Sequence, residues 1–150
     1  MAKLTNAHPL ISDYPFATRE PEIGTLDYEG IKAQVVDLPS IGAEEFDIGI
    51  VHTADLIIIV IDNLNDLEKI SPLISKSSGK TLIAINKSDI MENRELRKLE
   101  DKIKSLRLNA IVISSLKGVG LDSLKDAIFR SMCVIRIYLK EPGKLFSPSP

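Results

Sequence analysis

The chain has 150 residues, 44% of them apolar and 27% charged, with a net charge of −2. That length suits one globular domain, and the near-neutral balance excludes a global basic field, so neither DNA nor a membrane surface is an expected partner. The single cysteine, Cys133, excludes an internal disulfide and a CxxC metal pair; it points to a reduced, cytoplasmic setting and, within the apolar stretch Met132, Val134 and Ile135, to a buried thiol.

Residues 1–22 read as a short helical stretch followed by loop, broken by Pro9, Pro15 and Pro21, without the charged-then-apolar layout of a signal peptide. Residues 23–28 and 31–37 read as strands, and Glu29-Gly30 between them predicts a hairpin turn. A helix is expected within 42–53. The run Leu56-Ile-Ile-Ile-Val-Ile61 predicts a strand buried on both faces, and it is far shorter than the ~20 residues that cross a bilayer. A helix follows over 65–76, capped by Asn63 or Asn65 and containing Pro72, then a buried strand over 81–85. Residues 92–106 predict a charged helix with Leu96, Leu99, Ile103 and Leu106 on one stripe. A short strand over 110–113, a helix over 121–132 with Leu121, Leu124, Ala127 and Ile128 inward, and a last strand over 134–139 complete the order. The Pro/Ser tail, 146–150, is expected to be disordered.

Strands alternating with helices from 56 to 132 imply right-handed βαβ units and a parallel sheet. Ligands of such sheets bind beyond the C-terminal strand ends, so the residues just after each strand matter most. Asn86-Lys87-Ser88-Asp89 follows the fourth strand and matches N-K-x-D, the guanine-reading motif of GTPases. Guanine presents N1–H and N2–H2 as adjacent donors that the Asp89 carboxylate can accept together. The stem of Lys87 can lie along the base, and Asn86 can tie neighbouring loops. The bland alternative is a polar turn in which Asp89 caps the next helix. Ser114-Ser115-Leu116-Lys117 follows the fifth strand, where GTPases place the S-A-K loop, and a backbone N–H near Ser115 can donate to guanine O6; a Ser-Ser turn with Gly118 and Gly120 is also ordinary loop chemistry. Asp37-Leu38-Pro39-Ser40 follows the second strand and matches D-x-x-G except at its last residue. In that motif the Asp holds Mg2+ through water and the fourth residue's N–H meets the γ-phosphate. Ser40 keeps the N–H but adds a side chain, and Ile41 stands where many GTPases place a water-orienting Gln, so any hydrolysis is expected to be slow.

With these residues assembled, the chain resembles the Obg-like GTPases, and most closely their DRG branch, the developmentally regulated GTP-binding proteins. Leu4-Thr-Asn-Ala7 and the segment 13–21 (DYPFATREP) look like that family's first helix end and switch I. Asp37-Leu-Pro39 with Ala54-Asp55 looks like its switch II region and following strand, and 134–143 (VIRIYLKEPG) looks like the opening of its TGS domain. The resemblance implies an α/β, P-loop NTPase-like fold with a mostly parallel sheet and a β-hairpin edge. It implies a partial GTPase domain over 1–132 and the start of a TGS domain over 133–150. GTP and Mg2+ are the implied ligands, with Thr18 as the switch I threonine on Mg2+, although by itself Thr18 reads as a loop residue. RNA or the ribosome and a regulatory protein are the implied partners. His8 and His52 match no catalytic position.

Three departures bear on activity. The family's G-x-x-x-x-G-K-[ST] loop belongs just ahead of Leu4, and the sequence does not contain it. Gly79-Lys80-Thr81 is no substitute, because Ile74 stands where the first Gly is needed and the segment precedes a strand. Residues 41–53 are short for a switch II, the domain that DRG proteins insert before N-K-x-D is lacking, and the TGS domain stops after one strand. The loop's own strand would lie centrally, between the hairpin and the Leu56 strand. Two arrangements therefore stand open: the hairpin closes directly onto the Leu56 strand, or the chain is a fragment of a longer GTPase with impaired nucleotide binding. A nucleotide-free pseudo-GTPase serving as a protein or RNA interaction module, and an unrelated flavodoxin-type domain, are the other readings.

Overall fold

The structure is a computed structural model that describes residues 1–7 and 20–133. The expectations for Thr18, His8, the strand over 134–139, the TGS segment and the tail fall outside these residues. Residues 1–7 form a single turn, with the Leu4 and Thr5 amides donating to the Met1 carbonyl at 2.9 and 3.1 Å.

Strands β1 (Glu22–Tyr28) and β2 (Ile31–Asp37) pair antiparallel, Glu22 opposite Asp37 and Tyr28 opposite Ile31. Glu29 (φ 49°) and Gly30 (φ 76°) turn the chain between them, two successive positive φ angles of the kind that match the twist of a two-residue hairpin. Helix α1 (Ile48–Thr53) is capped by Asp47, whose carboxylate accepts from the Gly49 amide at 2.8 Å. It is shorter than the expected 42–53 because Gly42 adopts φ 93° and the Ala43 amide turns back onto the Ser40 carbonyl at 2.9 Å.

Strand β3 (Leu56–Ile61) leads into a 3₁₀ turn capped by Asn63 and then helix α2 (Leu67–Ile74). Strand β4 (Lys80–Ile85) follows, then helix α3 (Asn93–Ser105), strand β5 (Ala110–Val112) and helix α4 (Leu121–Ser131). Helix α3 begins in a reciprocal capping box between Glu92 and Glu95. The three strands form a parallel sheet in the order β3-β4-β5, with Ile61 opposite Ile85 and Ile85 opposite Val112.

Two apolar layers sandwich this sheet. On one face Leu82, Ala84 and Ile113 pack with Leu121, Leu124, Ile128 and Phe129 of α4. On the other, Ile59, Ile61, Ile83 and Ile85 meet Leu67 and Ile70 of α2 and Leu99 and Ile103 of α3. Leu106, expected on the same stripe, sits at the end of α3 and is exposed.

The hairpin differs from expectation. Instead of forming an edge of the parallel sheet it is a sheet of its own. Each of its strands takes its ladder from the other, and side chains make the attachment. Leu26 and Ala33 enter the α4 layer, Tyr28 stacks on Phe129 with ring centroids 5.1 Å apart, and the Tyr28 hydroxyl donates to Asp126. The described hairpin therefore does not close onto β3. Among the described residues β3 stands at the sheet edge, and Val60, expected inside, is 62% exposed. Cys133 is also exposed, contrary to the expected buried thiol. It lies beyond the last turn of α4 in a left-handed conformation, past the residues that helix buries. Gly79 has a packing role: a Cβ there would lie 2.2 Å from the Ala54 carbonyl oxygen, so the chain entering β4 can approach the chain entering β3 only without a side chain.

Leu124, 1% exposed, joins the hairpin and parallel-sheet contributions of one core. Leu124→Ala is expected to cost about 2–5 kcal/mol, read as a lower urea midpoint at unchanged m-value.

Candidate guanine-binding site

The C-terminal ends of β3, β4 and β5 meet at one edge of the sheet because backbone bonds continue the ladders past the strands. The Asn86 amide donates to the Ile61 carbonyl at 2.7 Å, the Ile113 amide to the Ile85 carbonyl at 2.8 Å, and the Ser88 amide to the Ile113 carbonyl at 3.1 Å. These three bonds carry the residues after β4 against those after β5.

Side chains then tie the loops. Asn86 Oδ1 accepts the Ser115 amide at 2.9 Å, the loop-tying role that its amide chemistry suggests. Ser114 is fully buried, and its hydroxyl donates to Asp89 Oδ1 while accepting the Lys117 amide at 3.1 Å. A buried hydroxyl with both functions satisfied has one orientation, so it fixes Asp89 as well. The second Asp89 oxygen takes no hydrogen bond from another of the described residues, and Asp89 is exposed. Asp89 does not cap α3; Glu92 does. Gly118 (φ 77°) and Gly120 (φ 75°) fold the β5 loop back, the Ser114 amide donating to the Val119 carbonyl at 2.9 Å and the Gly118 amide to the Ser114 carbonyl at 2.8 Å.

Lys87 takes a left-handed backbone, φ 65°, and its Nζ donates to Asp62 Oδ2 at 2.8 Å. Asp62 directly follows β3. In the sequence the ends of β2, β4 and β5 stand out and that of β3 does not, although an acidic residue immediately after a β-branched run is a usable signal. The Lys87 ammonium holds the Asp62 carboxyl below the usual carboxylate range, and Asp62 in turn raises Lys87. Chiefly through the Ser114 hydroxyl, Asp89 is held low as well.

The structure leaves Asp37 and Ser40 apart from this cluster. Both lie at the end of β2, on the separate hairpin, and no hydrogen bond or ion pair joins them to Asn86, Asp89 or Ser114 among the described residues. The Asp37 carboxylate makes no such bond at all there. Among the described residues no three His, Cys, Asp or Glu side chains gather to hold a metal unaided. The Ser115 amide is occupied by Asn86 Oδ1, and among the described residues no hydrogen bond engages the neighbouring Leu116 amide.

Residues 1–87 match the sequence model of a family described as 50S ribosome-binding GTPase. The chain belongs to this GTPase family. GTPase Obg of Chlorobaculum tepidum is 36% identical over 151 residues, covering 86% of this chain and 43% of that protein. The Obg of Deinococcus radiodurans is 27% identical, covering 87% and 35%, and the tRNA modification GTPase MnmE of Thermotoga petrophila is 29% identical, covering 85% and 31%. The chain thus spans less than half the length of these curated relatives. Among solved structures, Era in complex with MgGDPNP and nucleotides 1506–1542 of 16S ribosomal RNA superposes with a TM-score of 0.69 at 25% identity, covering 91% of this chain and 50% of that one. A single-residue variant of Aquifex aeolicus Era bound to GDP.AlF4- reaches 0.75 at 22% identity, covering 98% and 56%, a likeness of fold. The fold is the α/β P-loop GTPase fold.

Ser114→Ala removes the donor that depresses Asp89. The Asp89 carboxyl should then titrate closer to its ordinary value, measurable by carbon-detected NMR. The sign follows from linkage: a depressed folded pKa stabilises above the unfolded value and is lost as pH falls through the folded one. The pH-dependent stability advantage of the unsubstituted chain over Ser114→Ala should therefore vanish on acidification through the carboxylate range.

Proposed function

We propose that this chain is the guanine-reading part of an Obg-type GTPase switch. The observation that carries the proposal is the cluster at the sheet edge. Asp89 is oriented by a buried Ser114 hydroxyl with one carboxylate oxygen unengaged by the other described residues, beside Lys87, and Asn86 locks the second loop to the first. Such a carboxylate accepts the paired N1–H and N2–H2 donors of guanine, and adenine offers no equivalent pair. The Leu116 amide, near Ser115, is the donor for O6. Asp37 and Thr18 would hold Mg2+, and the Ser40 amide would face the γ-phosphate. These groups bring GTP and Mg2+ together in the family's manner.

The grip on the phosphates belongs, in this proposal, to a glycine-rich loop of a longer parent GTPase. The hairpin standing as a separate sheet and the exposed Val60 edge of β3 support it. The DRG branch, the TGS segment over 133–150, a cytoplasmic setting, and RNA, ribosome and regulatory-protein partners are parts of the same proposal. The solved Era complex, which contains ribosomal RNA, supports the RNA element. A second reading, a pseudo-GTPase interaction module, is favoured by Ser40 in place of the D-x-x-G glycine and by the short switch II segment 41–53.

Calorimetry with GTP and Mg2+ tests whether the phosphate grip needs that loop. The isolated chain should bind weaker than ~1 μM, about −8 kcal/mol; tighter binding means that the phosphate grip does not need the loop. Asp89→Asn should move base preference from guanine toward xanthine, because an amide donates to the xanthine carbonyl that replaces the guanine amino group. Unchanged preference between GDP and XDP would remove Asp89 from the base site.

A further inference from the structure

Asp62 belongs to none of the matched motifs, yet it stands across the ladder from the Asn86-Lys87 step, because Ile61 is opposite Ile85 and the Asn86 amide continues the pairing to Ile61. Lys87 sits in a backbone state that a residue with a Cβ rarely adopts. The Asn86 amide on one side and the Ser88 amide on the other, bound to strand-end carbonyls of β3 and the β5 segment, hold it there. From that backbone the side chain runs to β3, where its Nζ meets Asp62 Oδ2 at 2.8 Å. The lysine is thus tethered at both ends, with its four-carbon stem between them.

We propose that Asp62 is a positioning residue for the purine base: by holding the Lys87 ammonium, it sets the aliphatic stem as the apolar surface on which the base stacks. The proposal rests on the guanine-binding reading above. A free lysine side chain loses much rotamer freedom when a ligand orders it, and a tethered one has lost that freedom already. The ammonium also stays paired and half in water while only the stem meets the base. The side chains of Lys87 and Asp62 are 57% and 49% exposed, so the pair adds little to the stability of the fold. Ligand binding and stability should therefore respond differently to its loss.

The test is an NMR titration of the full chain with GDP and IDP, which share a stacking face and differ in the 2-amino group that Asp89 reads. Asp62→Asn should weaken both nucleotides by the same factor, about two- to fivefold at low salt and less as salt screens the pair. Its melting temperature should equal that of the unsubstituted chain. In a Lys87→Met background, which keeps an apolar stem and removes the charge, Asp62→Asn should change nothing further. An undiminished loss in that background, a loss confined to GDP, or no loss at all overturns the positioning role while leaving the guanine site standing. Absence of any GDP-dependent shift in the unsubstituted chain at millimolar nucleotide overturns the guanine reading itself, and the role of Asp62 with it.

Discussion

Residues Leu82 to Ile85 of β4 are withdrawn from water with a parallel strand on each side. Their amides and carbonyls depend on those two ladders, since buried backbone groups left unpaired are costly. Alternating side chains of this one strand feed both cores, Leu82 and Ala84 toward α4, Ile83 and Ile85 toward α2 and α3. The ladders also determine where β3 and β5 end relative to β4. The convergence of three loops at one sheet edge follows from that pairing.

At this edge the polar groups are organised from the inside outward. Ser114 lies at the boundary of the core, where a hydroxyl must find both a donor and an acceptor partner, and it finds them in the Lys117 amide and Asp89. The more exposed Asn86, Lys87 and Asp89 are thereby presented in fixed relation to one another. A recognition site built on rigid strand ends loses little freedom when its ligand arrives. The hairpin, in contrast, is joined to α4 by apolar packing and the Tyr28 contacts, and to residues 1–7 by the hydrogen bonds between Asn6 and Thr25. Its Asp37 is therefore held by the hairpin's own ladder, and no backbone ladder among the described residues ties it to the parallel sheet.

Much of this was legible residue by residue. The β-branched run 56–61, the Glu29-Gly30 turn and the periodicity of α3 and α4 report local backbone preference and the facing of one side toward a core, both properties of short stretches. The N-K-x-D tetrapeptide at the end of β4 was legible for the same reason, since four consecutive residues carry it. Val60 and Cys133 were not. Their burial depends on what other parts of the chain cover them, and an apolar neighbourhood in sequence does not supply that cover. The start of α1 was displaced by the turn at Ser40–Ala43, whose hydrogen bond competes with the helix.

The amino-acid sequence by itself determined the order of strands and helices, the N-K-x-D tetrapeptide after β4 and the lack of a G-x-x-x-x-G-K-[ST] motif among its 150 residues. Only the tertiary structure decided that Ser114 orients Asp89, that Asn86 takes the Ser115 amide, that Asp62 tethers Lys87, and that the hairpin forms its own sheet. The physical reason is separation along the chain: Asp62 and Lys87 lie 25 positions apart, as do Ser114 and Asp89, and Asn86 and Ser115 lie 29 apart. Such pairs come into being only when the β3-β4-β5 ladders bring distant strand ends within hydrogen-bonding distance.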